Sequence, residues 1–176
     1  QPDNVRKMLV SMIDDVRVAL IKIAERTCAI RAVKNAPSAK RYRVAREVSA
    51  VYAPLAHRLG IGHLKWELED LSFRYLEASE YKRIAKLLDE KRLDREQYID
   101  DVLKHLNEQM ANAHIMGADI TGRVKHIYSI WRKMTRKGIS FSQVYDIRAV
   151  RILVPEVADC YSVLGIIHST WRTITG

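Results

Sequence analysis

The sequence has 176 residues, 48% of them apolar, enough to bury one ordinary core or two small ones. Lysine and arginine number 30 against 21 aspartates and glutamates, a formal charge of +9, which favours anionic partners: nucleotides, nucleic acid or an acidic membrane surface. No apolar run approaches the ~20 residues of a membrane-spanning helix, and Cys28 and Cys160 lack metal-ligand spacing, so a reducing, cytoplasmic setting is expected.

Apolar residues recur at helical spacing from Val5 to Val33, among them Met8, Leu9, Met12 and Ile13. Asp14 and Asp15 are expected to start a second helix, since acids favour the first turn. "KNAPSAK" is a break, and a helix from about Ser38 to Tyr52 is expected to end or kink at Pro54. Gly60 and Gly62 in "HRLGIG" read as helix-stop or turn signals. The two following segments predict an amphipathic helical hairpin or small bundle. Ser79 is its candidate N-cap, and its apolar stripe runs from Ile84, Leu87 and Leu88 to Ile99, Val102, Leu103, Leu106 and Met110. Its charge runs read as solvated faces.

After "ANAHIMGA" the pattern changes. "DITGRVK" predicts a short strand ending in a turn at Gly122, and "KHIYSIWRKMTRK" a helix with Ile127, Ile130, Trp131 and Met134 on one face. "IRAVRILV" has the β-branched content of a buried strand. A last helix is expected to open with Pro155 at its first position and Glu156 in its first turn. Val157, Tyr161, Leu164, Ile167 and Trp171 would form its apolar face. The fold class is therefore mainly α and α+β overall, helical to about residue 112 and then β-α-β-α. Both ends, "QPDNVRKML" and "RTITG", read as cuts in a longer protein.

Chemistry-bearing residues concentrate after Gly122. Arg123 and Lys125 sit at a strand-to-helix turn, and Lys125, Ser129, Arg132, Lys133 and Arg136 follow at intervals of three or four. A row of cations near a helix N-terminus can neutralise a triphosphate, and the same row also suits an ordinary basic surface or an RNA-binding stripe. Asp146 opens the second strand. As a lone carboxylate it is half a magnesium site at best, or a partner for Arg148 or a neighbouring lysine. Arg151, inside a buried-looking strand, requires either an acid or a stacked base. Glu25, a lone acid in an apolar helix followed by arginine, reads as an ion-pair partner.

Several linked stretches in order, "YAPLAHRLGIGHLKWELEDLSFRYL", "EYKRIAKLL", "GRVKHIYSIWRKM" and "YDIRAVRI", resemble long RelA/SpoT-type alarmone enzymes over essentially the whole chain. The resemblance is nearest to their RelA-type branch of ATP:GTP 3′-pyrophosphotransferases, which serve the bacterial stringent response. It implies three parts. Residues 1–58 would be the end of a hydrolase-type helical domain, residues 59–112 a helical connector, and residues 113–176 the start of a nucleotidyltransferase-like synthetase domain. At "KIAERTCA" the hydrolase pattern K-x-A-D-R-x-H-N is degenerate. Glu25 stands at its aspartate position, Cys28 at its histidine and Ala29 at its asparagine.

The synthetase patterns G-R-x-K and D-x-x-A-x-R fall on Gly122, Arg123 and Lys125 and on Asp146, Ala149 and Arg151. The resemblance implies that Arg123 and Arg151 sandwich adenine and that Lys125, Ser129, Lys133 and Arg136 line the phosphates. It also implies that Asp146 is catalytic and binds magnesium. ATP and GTP or GDP would be substrates, and the ribosome and uncharged tRNA would be partners through regions outside this chain, with no membrane partner. The isolated chain is expected to be inactive as a synthetase. Strict strand alternation would put Asp146 and Arg151 on opposite faces. Either Asp146 precedes the pleat, a bulge intervenes, or the ligand wraps the strand end. A basic nucleic-acid- or ribosome-binding module without catalysis, and a purely structural helical scaffold, are the competing classes.

Overall fold

The computed structural model describes residues 15–90 and 92–172. The stripe of Met8, Leu9, Met12 and Ile13, with Asp14, lies outside the described residues. The chain divides into two compact units: residues 1–85 with 126–132, and residues 86–125 with 133–176.

The first unit is helical. Helix α1 (Val16–Ala32) starts where the acidic pair predicts, with Asp15 as its N-cap accepting the Arg17 backbone N–H at 2.9 Å. Ala19, Ile23, Thr27 and Ile30 recur at helical spacing and are buried. The Thr27 hydroxyl donates to the Ile23 carbonyl at 2.7 Å, which satisfies the one polar group in that stripe. Helix α2 (Ser38–Glu47) does not stop near Pro54 but continues through a π turn (Val48–Tyr52) into helix α3 (Ala53–Arg58).

The helix passes Pro54 instead of ending there for a physical reason. Proline has no N–H and its ring collides with the carbonyl four residues back. Here the Ala53 N–H bonds five residues back, to the Val48 carbonyl, and the wider turn carries the chain past Pro54. Gly60, at φ +73, then reverses direction as its sequence signal suggests, whereas Gly62 opens helix α4 (Gly62–Leu76) and is no stop. Ile23, Ile30, Val48, Tyr52, Ala56 and Leu68 close one core. Each buried Ile or Leu there contributes about 1.5–3 kcal/mol before ordering entropy is set against it.

Helix α5 (Ala78–Glu90) places Ser79 inside its first turn rather than at the cap, and its stripe of Ile84 and Leu88 is buried. Helix α6 (Arg92–Asn112) follows.

In the second unit, α6 packs on a two-stranded antiparallel sheet of β1 (Asp119–Val124) and β2 (Arg148–Leu153). Helix α7 (Ile127–Lys137) and two 3-10 turns (Phe141–Gln143 and Tyr145–Ile147) separate the strands, and helix α8 (Val157–Thr170) follows them. Leu106, Met110, Ile115 and Val163 form the core, with Ile120, Val150, Ile152 and Ile167 packed around it. The mainly helical class with a small sheet is therefore observed.

Three local expectations are corrected. Gly122 is not a turn but a mid-strand residue paired with Val150, where a Cβ would meet Ile99 Cγ2 of α6 at 2.5 Å. Helix α8 begins at Val157, so Pro155 and the N-cap Glu156 precede it. Its buried face centres on Val163 and not on Val157, Tyr161 and Leu164, which are 74%, 73% and 47% exposed.

Candidate functional site

The site-bearing residues of the second unit are set by the β1–β2 register and by the turn before β2. Thr121 pairs with Arg151 and Arg123 with Ala149, so the antiparallel pleat puts Arg123 and Arg151 diagonally across one face. That is the outward face. Arg151 is exposed, Arg123 half-buried, and β2 alternates between half-buried and exposed positions. Arg151 therefore carries no burial penalty, contrary to the reading of β2 as a buried strand. Its neighbour Arg148 points to the other face and lies 4.5 Å from the centroid of the Tyr98 ring on α6.

Asp146 precedes the pleat. It occupies the 3-10 turn Tyr145–Ile147 at φ −86 and ψ 31, so strand alternation does not bind it to a face. Of the three ways to reconcile it with Arg151, the chain uses the first. Lys125 comes from the end of β1, two residues ahead of α7 rather than on it, and its backbone N–H donates to the Ile147 carbonyl at 3.1 Å. That bond brings the Lys125 side chain to the Asp146 turn, where Nζ donates to Oδ2. Lys133, on α7, donates from Nζ to Oδ1 at 2.7 Å.

Partial burial disfavours the charged form of Asp146. The two lysine hydrogen bonds and charges outweigh it and lower its pKa to about 2. The carboxylate is ionised throughout the neutral range and is 46% exposed, while Lys125 and Lys133 are 25% and 24% exposed. Arg136, one turn beyond Lys133, is exposed. Ser129 lies one turn before Lys133, half-buried, in the stretch of α7 that belongs to the first unit.

The hydrolase-type positions lie in the first unit on α1. Glu25 is exposed and paired with Lys22 at 2.8 Å and Arg26 at 3.6 Å, and its pKa is lowered first by the Lys22 hydrogen bond. Cys28 is an exposed free thiol and Ala29 is half-buried. Among the described residues no group of three or more His, Cys, Asp or Glu could hold a metal ion.

Residues 1–62 match the family described as HD domain, and residues 122–176 match the region found in RelA / SpoT proteins. A GTP pyrophosphokinase of Escherichia coli strain K12 is 55% identical over 172 residues, covering 98% of this chain and 23% of that protein. Residues 122–176 are a RelA/SpoT-type region. Myxococcus xanthus has a GTP pyrophosphokinase 41% identical over 176 residues, covering 100% of this chain and 23% of that protein. A Synechocystis protein named a probable guanosine-3′,5′-bis(diphosphate) 3′-pyrophosphohydrolase is 41% identical over the same coverage, 100% and 23%. The chain thus spans 23% of the length of these curated relatives.

The G-R-x-K and D-x-x-A-x-R residues all fall within the 122–176 match, while Glu25, Cys28 and Ala29 fall within the HD-domain match. Sequence reasoning missed the Arg148–Tyr98 stack and a carboxylate, Asp70, that binds the start of α7. Neither has a local signal, because each partner lies dozens of residues away in the chain.

Proposed function

We propose that this chain carries the ATP side of an ATP:GTP 3′-pyrophosphotransferase that makes the guanosine alarmone, together with a hydrolase-type segment that has lost its chemistry. The observation that carries this reading is the convergence of Lys125 and Lys133 on Asp146 at the mouth of β2. Two ammoniums and one carboxylate leave a net positive, half-exposed site suited to phosphate oxygens. The diagonal pair Arg123 and Arg151 supplies planar guanidinium groups that suit a base. Arg136 extends the phosphate side along α7.

In the proposed reaction the 3′-oxygen of GTP or GDP forms a bond to the β-phosphorus of ATP. The bond from that phosphorus to the oxygen bridging to the α-phosphate breaks, AMP leaves, and the hydroxyl proton passes to a base. The role of Lys125, Lys133 and Arg136 is to offset charge on the phosphates as the bonds exchange.

The residues fit magnesium only in part. Asp146 offers one half-exposed carboxylate, already engaged by two lysines, so it suits a single ligand to an ion that arrives with the triphosphate. Such an ion would supply further charge neutralisation. The ribosome and uncharged tRNA as partners, and the cytoplasm as location, are part of the same reading.

The deciding experiment measures tetraphosphate synthesis from ATP and GDP by a full-length protein carrying this segment. Loss of product in Lys133→Ala, with KM for ATP raised and the fold retained, is expected. Undiminished synthesis would place this cluster outside the chemistry. The competing RNA-binding reading predicts instead salt-dependent RNA affinity that Lys133→Ala lowers, without any ATP effect.

A further inference from the structure

Residues 34–58 hold six lysines and arginines against one acid, Glu47, and so supply five of the nine net positive charges of the sequence. They form α2, the π turn and α3, all within the first unit. Ala45, Val48, Tyr52 and Ala56 recur there every three or four residues and lie in the core. Arg43, Arg46, Ala50 and Pro54 recur at the same steps, each two residues before a buried one, and Arg58 continues their row. All five are exposed. Two residues are ~200° around a helix, so one side faces the core and the other carries three arginines to solvent.

The charged side chains that could dilute this face turn away from it. Arg41 is half-buried, 5.9 Å from the centroid of the Tyr75 ring on α4. Glu47 is half-buried and lies 3.5 Å from Arg26 of α1. Among the described residues no ion pair joins Lys40, Arg43, Arg46 or Arg58 to an acid. A merely solvated face is built differently in this protein: on α5, Arg83 pairs with Glu80 and Lys86 with Glu90. Lys40, Arg43 and Arg46, three residues apart in turn, repel one another instead. Such a row is relieved by a polyanion.

The shape of the face selects which polyanion. A helix that lies on a membrane needs large apolar residues beside its cations. The exposed positions between these cations are Ala39, Ala50 and Pro54, with Tyr42 as the exposed ring. The major groove of B-form DNA is ~8.5 Å deep and admits a protruding helix. Here the opposite side of the helix is in the core, so only a shallow ridge projects, about 22 Å long from Arg43 to Arg58 at 1.5 Å per residue. The minor groove of A-form RNA is wide and shallow and is read through phosphates and 2′-hydroxyls. Guanidinium groups suit those phosphate oxygens.

We propose that the outward face of α2, the π turn and α3 binds the backbone of double-stranded RNA through Lys40, Arg43, Arg46 and Arg58, with Tyr42 beside them. This surface is independent of the reading of the Asp146 cluster, and the HD-domain match over residues 1–62 assigns no such contact.

The test titrates a full-length protein carrying this segment with an RNA duplex of about 16 base pairs. The double variant Arg43→Ala, Arg46→Ala is expected to weaken binding about tenfold at physiological salt and to reduce the salt slope by about two. Arg43→Lys with Arg46→Lys keeps both charges and should preserve the slope. Hydroxyl-radical labelling of the Tyr42 ring in the wild-type protein should fall when the duplex is bound. Lys133→Ala should leave RNA affinity unchanged. Unaltered affinity and slope in the double alanine variant, or Tyr42 labelling indifferent to the duplex, overturns the proposal. An equally large loss on B-form DNA of the same length, or on phosphatidylserine vesicles, overturns RNA as the partner. RNA affinity lowered by Lys133→Ala but not by the double variant places the RNA on the other basic cluster and also overturns it.

Discussion

Lys133 donates to Asp146 Oδ1 at 2.7 Å across 13 residues of sequence, while Lys125 donates to the other oxygen from the far side of α7 in the chain. An acid held by two ammoniums has two uses. It can neutralise them permanently, as a structural ion pair does, or it can keep them in place until phosphate oxygens take them over. Asp146→Asn separates these, because it preserves shape and removes the charge. In the full-length protein we expect kcat for synthesis to fall on the order of 100-fold with the fold intact, the scale of losing one charged group at a phosphoryl-transfer site. Circular dichroism checks the fold and nucleotide turnover the chemistry. Near-normal turnover would make Asp146 a structural partner only.

The same pair predicts an acid transition. The pKa of Asp146 in the fold is about 2, below its ordinary 3.8, so the folded state holds this proton less tightly than the unfolded chain does. Its stabilising contribution is therefore complete above pH 3.8 and is lost as pH falls towards about 2. Exposure of 46% keeps that contribution small and salt-sensitive. Thermal unfolding of wild type and Asp146→Asn should differ at neutral pH and converge towards pH 2. Curves that stay parallel down to that pH would show that the lysines do not stabilise the ionised form.

Gly122 supplies a packing test. A Cβ at this position would meet Ile99 Cγ2 at 2.5 Å, and that methyl sits on a β-branched stem that cannot swing aside cheaply. Gly122→Ala should destabilise the fold by about 1–3 kcal/mol. Ile99→Ala in the same chain should cost less than the sum of the two single changes, because the collision is removed. Additive effects by denaturant unfolding would show that α6 does not approach β1 this closely.

The contrast among these positions shows which parts of the structure were legible in the sequence. The strands, α7 and the Asp15 cap depend on local periodicity and on side chains one or two residues from their targets, and their approximate positions follow from the sequence. The glycine of G-R-x-K is visible as a residue, but its reason, the approach of α6, is tertiary. Helix α8 is apolar on more than one side, so periodicity offers several stripes. Packing into the core of Leu106, Met110 and Ile115 selects the one through Val163 and leaves Val157 and Tyr161 exposed. Pro54 is a breaker by local rules, and a π turn five residues long overrides them. Asp70 has no local signal, since its partner is 58 residues on.

Arg151 provides the last prediction. It pairs with Thr121, diagonal to Arg123, on the outward face of the sheet, so its side chain needs no burial partner and is open to a flat ligand. A guanidinium stacks on a base through its plane, whereas an ammonium offers the same charge without that plane. Arg151→Lys should therefore raise KM for ATP on the order of fivefold, the range of a partly desolvated cation–π contact. Inhibition by inorganic tripolyphosphate, which has no base, should be unchanged by it. Lys133→Ala should weaken both ligands, because it removes a phosphate partner that they share. The paired measurement assigns the two residues to different parts of one nucleotide. If Arg151→Lys weakens tripolyphosphate as much as ATP, Arg151 belongs with the phosphate cations and the base lies elsewhere.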